Sequence, residues 1–173
     1  MAIGDLKVLK RGFGVLPFGA EDRVTSSVTV ALQPGEPVKR GGSGANFAVP
    51  LADGDAENGT DILLGIVHNV SNETASADGE VEVEVCGPGT LIEGRATSAT
   101  NINTAAKLLA IRHDYVCFDL TGAGTNGPTG VFTIDEDEGD DPNVHCLFIV
   151  GGDIAKGTLK AMTAISLFYG NGI

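Results

Sequence analysis

The densest run of potential ligands in this 173-residue chain is Asp135-Glu136-Asp137-Glu138-Gly139-Asp140-Asp141. Hard cations want clustered carboxylates on a turning backbone, and D-x-D-x-G is the opening of a calcium loop. Gly139 stands where a third ligand is needed, no bidentate glutamate follows at the right distance, and no helices flank the run. The segment therefore reads as a solvated acidic loop, and no metal is expected. Glu80, Glu82 and Glu84 form a second carboxylate row. Paired-acid catalysis needs two acids in different environments, so a same-face row reads as a wet surface. His68, His113 and His145 fall on separate predicted elements. His68 shares a face with Ile62, Leu64 and Ile66, which predicts a half-buried imidazole satisfied by a backbone group. Lys39-Arg40-Gly41-Gly42-Ser43-Gly44 lacks the order of a phosphate-binding loop and has no helix after it. No nucleophile or zinc-hydrolase motif is present. Cys86, Cys117 and Cys146 are odd in number, widely spaced and set in apolar runs, the pattern of buried reduced thiols. No catalytic residue and no cofactor is expected, so the chain is not read as an enzyme.

The elements behind these residues are mostly strands. Gly79 to Gly94, GEVEVEVCGPGTLIEG, alternates valine with glutamate before a Gly-Pro-Gly turn and a second apolar run. A strand sends successive side chains to opposite faces, so Val81, Val83 and Val85 are expected inside and the glutamates outside. Ile62 to Val70 is apolar enough to be covered on both faces, with Gly65 marking a close backbone approach or a bulge. Together residues 62 to 94 read as an antiparallel meander. Val24 to Leu32, Tyr115 to Leu120, Val131 to Ile134, Val144 to Val150 and Thr158 to Tyr169 also read as strands. Asp53 to Asp61 and Thr121 to Gly130 read as loops. The one helix signal is Arg95 to Arg112, where Ile102, Ala105, Ala106 and Leu109 recur at helical spacing. Thr100, Asn101 or Asn103 can cap it, and it is expected to cover the valine side of the alternating strand.

Size allows one domain with a real core. The 25 glycines, 7 prolines and short apolar runs favour a β-rich class. A net charge of −12 argues against a nucleic-acid partner. No stretch reaches the length of a membrane span and the start carries no secretory pattern, so a soluble protein made in the cytosol, with no membrane partner, is expected.

Residues 1 to 22 differ in texture from the rest. Lys7, Lys10 and Arg11 stand beside Phe13, Leu16 and Phe18, which are spaced by Gly12, Gly14, Pro17 and Gly19. Apolar residues broken by glycine and proline cannot make an amphipathic helix, yet they are too sticky for a plain linker. These six basic and apolar residues are the expected contact residues of an arm that orders against a partner or a neighbouring subunit. The domain reading is an arm at 1–22 and a single β-rich domain at 23–173, with a core at 23–112 and a C-terminal elaboration at 113–173. The fold class is a mainly β, compact antiparallel barrel or sandwich with one short covering helix and an extended N-terminal arm.

The glycine- and proline-punctuated arm, GEPV at Gly35 to Val38, LLGIVHNVS at Leu63 to Ser71, the Asp78-Gly79 turn, GEVEVEV and the small helix after it together resemble the head decoration, or cement, proteins of tailed bacteriophages, of the lambda type and its relatives. The likeness covers roughly residues 20 to 112. It implies a β-tulip-like fold and a homo-oligomer, most often a trimer. It also implies a major capsid protein as partner, a place on the virion exterior, and no catalytic residues. The arm would then add to a capsid edge by strand addition, and removing residues 1 to 18 would leave a folded oligomer unable to hold expanded capsids. The longer C-terminal part departs from the simplest members. The alternative reading is a ligand-binding β-sandwich of the carbohydrate-recognition kind, against which the absence of tryptophan and the buried texture of the aromatic runs both count.

Overall fold

The computed structural model describes residues 6–10, 14–20, 31–41, 47–51, 63–74, 76–119, 132–137 and 147–164. Among them run β1 (Lys7–Lys10), β2 (Val15–Ala20), β3 (Pro37–Gly41), β4 (Phe47–Pro50), β5 (Leu63–Val67), β6 (Gly79–Val85), β7 (Leu91–Arg95), α1 (Ala105–Ala110), β8 (Tyr115–Asp119), β9 (Thr133–Asp135), β10 (Leu147–Asp153) and β11 (Thr158–Thr163). The protein is mainly β. Strands β2-β4-β3-β5-β6 close a five-stranded barrel, and β1-β7-β11-β10-β8-β9 form a six-stranded antiparallel sheet.

The alternation in β6 sorts side chains as its period requires. Val81 and Val83 are buried, Glu80 and Glu82 are exposed, and Val85 and Glu84 are intermediate. With Ala20, Leu32, Val38, Ala48 and Val67, the two buried valines make the barrel interior. Gly65 has the role its position suggests: a Cβ there would lie 2.2 Å from the Glu84 carbonyl oxygen. The register against β3 also jumps at this point, from Val38 opposite Gly65 to Lys39 opposite Leu63, which makes Leu64 a bulged residue.

The expected meander does not continue past β6. The neighbours of β6 are β5 and β2, whereas β7 lies in the other sheet between β1 and β11. The chain crosses at Gly87-Pro88-Gly89-Thr90, a tight turn closed by the Thr90 N–H on the Gly87 carbonyl at 3.0 Å. Gly89 has φ +77, a conformation closed to most side chains. Thr163 on β11 fixes the crossing: its hydroxyl donates to the Gly87 carbonyl and accepts from the Thr90 N–H.

The N-terminal segment is extended but does not stand apart as an arm. β1 pairs with β7 in the sheet, and β2 pairs along its whole length with β6 in the barrel. Leu6 and Ala20 are fully buried, one in each core. The division expected at residue 112 does not follow the sheets either, because β8–β11 share one sheet with β1 and β7. The larger core includes Leu6, Ile92, Val116, Phe118, Ile134, Leu147, Ile149 and Leu159, together with Leu51, Leu63 and Ile66 from the barrel side, so the two units share an interior.

The helix is shorter than expected and does not cover the valines. α1 has six residues and no buried side chain, and its N-cap is Thr104, whose hydroxyl accepts from the Lys107 N–H. Ile102 is buried, but it sits in the turn before the helix, while Ala105, Ala106 and Leu109 are exposed. Leu108 and Ile111 lean on the larger core instead. Within the described residues β10 runs over Leu147–Asp153, past the expected end at Val150, and β11 over Thr158–Thr163. Residues 24–30, the loops at 53–61 and 121–130, residues 138–146 and residues 165–169 lie outside the described residues.

Candidate interaction surface

Four of the six predicted contact residues lie among the described residues, divided between the two units. Lys7 and Lys10 lie on β1, the outermost strand of the sheet, and Leu16 and Phe18 lie on β2 of the barrel. Arg11 and Phe13 lie outside the described residues. Lys7 Nζ is 3.5 Å from Glu93 Oε2 on β7, while the lysine side chain is 63% exposed. Phe18 packs against the barrel core, whereas Leu16 is 49% exposed.

A residue that the sequence pattern does not single out joins them. Val8 sits opposite Ile92 and Lys10 opposite Leu91, so Leu9 is an extra residue on β1. A bulge on an edge strand re-aims its side chain, and Leu9 is 40% exposed. A bulge depends on the partner strand, about 80 residues away in the chain, and leaves no local signal.

β2 offers a second edge. Among the described residues β4 meets it only at Gly19 and Ala20, in parallel, opposite Phe47 and Ala48. The Val85 N–H donates to the Gly14 carbonyl, and antiparallel alternation then turns the main-chain groups of Val15 and Pro17 away from β6. Pro17 has no N–H to offer at that edge, the way natural sheets blunt an exposed strand. Strand addition is thereby disfavoured at β2. Beside the short seam, Pro17, Phe18, Gly19, Phe47, Asp78, Gly79 and Glu80 line an open groove of about 450 Å3.

The outer face of the six-stranded sheet carries a pattern that only the register reveals. Leu91 lies opposite Met162, Met162 opposite Phe148, and Phe148 opposite Tyr115. Direct partners share a face, so these four side chains cross four neighbouring strands in one row. All four are half-buried, and Leu91, Met162 and Phe148 belong to neither core. The Phe148 ring is stacked by His113 at 5.5 Å and met edge-on by Tyr115 at 5.2 Å. His113, three residues past the end of α1, takes φ +82, a conformation costly for a side chain, and its N–H donates to the Ile149 carbonyl. Beside the apolar row runs a charged one: Lys7 opposite Glu93, and Glu93 opposite Lys160.

The other chemistry-bearing residues are placed separately. His68 is exposed rather than half-buried, and its partner is a carboxylate: Nδ1 is 3.5 Å from Glu84 Oε1. His113 lies on the sheet, and His145 lies outside the described residues. Cys86 and Cys117 are buried free thiols, as the apolar runs suggest. Burial, aided by the Glu84 charge, pushes the Cys86 thiol up to about 12. Of the acidic run, residues 135–137 are described. Glu136 is buried and turns inward, and its Oε1 accepts from the Ser98 N–H and the Asn101 side-chain amide, both at 3.0 Å. That pins the turn before α1 to β9. Among the described residues no group of three or more His, Cys, Asp or Glu side chains is arranged to hold a metal ion, and no helix is long and apolar enough to cross a membrane.

Comparison with family models, curated proteins and solved structures gives no match.

Proposed function

We propose that this chain is a structural virion protein of the head-decoration type, which binds the outside of an expanded phage capsid as an oligomer and stabilises it. The observation that carries the reading is the pair of edges built by the N-terminal segment. Among the described residues β1 is the outermost strand of the sheet and β2 is only partly paired beyond β6; each presents an exposed leucine, Leu9 and Leu16, with Lys7 alongside. A protein that binds only the expanded shell stabilises that shell by mass action, and an oligomer multiplies the effect through avidity.

Removing residues 1 to 18 is not a clean test, because it would take away β1 and most of β2. Leu9→Asp and Leu16→Asp change exposed side chains and leave both strands in place. The reading expects the unaltered protein to co-sediment with expanded shells and not with unexpanded ones, and each variant to bind at least about tenfold more weakly. Equal binding to both shell forms, or none to either, would sink it.

The groove between β2 and β4 favours a second reading, a small ligand-binding module, because two phenylalanines, Phe18 and Phe47, and two carboxylates, Asp78 and Glu80, line it. Saturable heat on titration with soluble oligosaccharides, lost in Phe47→Ala, would favour it over the capsid reading.

A further inference from the structure

The groove at the barrel seam is built around a row of residues that the register sets side by side. Phe47 of β4 lies opposite Gly19 of β2, and Gly19 lies opposite Glu80 of β6. The next pair along the seam, Ala20 and Ala48, belongs to the barrel interior, so Phe47, Gly19 and Glu80 share the outer face of three adjacent strands. Gly19 has no side chain, which leaves a gap between the Phe47 ring and the Glu80 carboxylate. At ordinary strand spacing these two walls stand about 10 Å apart, and a group seated over Gly19 lies about 5 Å from each. Phe18 and Asp78 also line the groove. Its charged lining residues are both acidic, and Glu82 extends the carboxylate row along β6. The cations of the neighbouring strand β3, Lys39 and Arg40, lie opposite Val49 and Ala48 on the far side of β4 and do not line it. Beyond β6, His68 sits beside Glu84 rather than Glu80.

We infer that this groove binds a small organic cation of the quaternary ammonium class, its charged head seated over Gly19 between the Phe47 ring and the Glu80 carboxylate. An aromatic face attracts a cation held within about 6 Å of its centroid, and a quaternary head offers no hydrogen-bond donor that the apolar lining would leave unpaired. Asp78 and Glu80 supply the opposite charge, while Phe18 gives the remainder of the ligand an apolar wall. The same two carboxylates repel an attached phosphate, so the ligand is the free cation and not a phosphate-bearing headgroup.

The inference names a ligand class for the groove reading above and rests on it; no capsid enters the test. The backbone amides of Gly19 and Gly79, both in the groove lining, report on its occupancy by nuclear magnetic resonance of the full chain. Titration with choline should give saturable shifts at these amides with a low-millimolar dissociation constant, modest because the groove is open, and weaker at high salt. The neutral isostere of choline, in which a tert-butyl group replaces the trimethylammonium, and phosphocholine should each bind at least about tenfold more weakly. Glu80→Gln removes one carboxylate charge and Phe47→Leu the ring; each should weaken choline binding about threefold or more. Circular dichroism establishes that both variants are folded, and the comparison of ligands on the wild type needs no variant. Choline without a saturable shift, an isostere or phosphocholine that binds as well as choline, or variants that bind it as the wild type does overturns the inference. Oligosaccharide binding without choline binding would leave the ligand-binding reading standing while this inference fell. No response to either would remove both.

Discussion

The barrel and the sheet are built from the same kind of short strand but are filled differently. The barrel interior is made of Ala20, Leu32, Val38, Ala48, Val67, Val81 and Val83, mostly small side chains, and it closes through two parallel rungs. The sheet stands over a larger interior with Ile92, Ile134, Leu147, Ile149, Leu159 and two phenylalanines, Phe118 and Phe132. Buried apolar area scales with stabilisation, so the sheet side holds the fold together. Among the described residues the barrel has fewer large side chains of its own to bury and depends more on backbone fit. That difference also separates their surfaces: the sheet can afford an apolar row on its outer face, while the barrel presents glutamates.

If the sheet interior dominates, truncation there has the largest effect. Ile149→Ala should cost about 4 kcal/mol in denaturant unfolding. In the barrel the sensitive spot is fit rather than volume, so Gly65→Ala, forced against the Glu84 backbone, should cost about 2–3 kcal/mol. A Gly65→Ala variant as costly as Ile149→Ala, or a neutral one, would break the contrast. Glu136→Ala removes the acceptor of two hydrogen bonds where the turn before α1 meets β9, and should cost about 1–3 kcal/mol by thermal unfolding.

The smallest effect concerns pH. Burial raises Cys86 in the folded protein from its ordinary 9.0 to about 12. The unfolded thiol ionises first, so the stability tied to the neutral thiol is fully present below pH 9 and is lost progressively as pH rises toward the folded value. Unfolding midpoints should therefore fall more steeply above pH 9 in the wild type than in Cys86→Ala, and Cys86 should resist thiol reagents at neutral pH until the chain unfolds.

What could be read in advance was local. The face assignment of GEVEVEV, the Gly-Pro-Gly turn, the close approach at Gly65 and the strands at 115–119 and 158–163 are consequences of period and turn chemistry within a few residues. Membership of a sheet was not legible. β1 pairs with β7 across the whole barrel sequence, so nothing near Lys7 announces its partner. The glycines and proline around Phe13 and Phe18 suggested an arm because they weaken any single strand; in the folded protein β2 gains its partner from β6 instead. The helix was overread because Ile102, Ala105 and Leu109 share a helical spacing that the turn around residues 98–104, pinned by Glu136, does not let them use. Of the candidate contact residues, Lys7 and Leu16 are exposed; Leu9, hidden from the sequence by a bulge, was not among them, and the row from Leu91 to Tyr115 exists only once four strands are in register.

The most direct test of the account is co-sedimentation of the wild-type chain and its Leu9→Asp variant with expanded and unexpanded phage shells. The account predicts saturable binding of the wild type to the expanded form alone, with the variant, folded by circular dichroism, left in the supernatant. Wild-type protein that remains soluble with both shells, or a variant that pellets as well as the wild type, contradicts it.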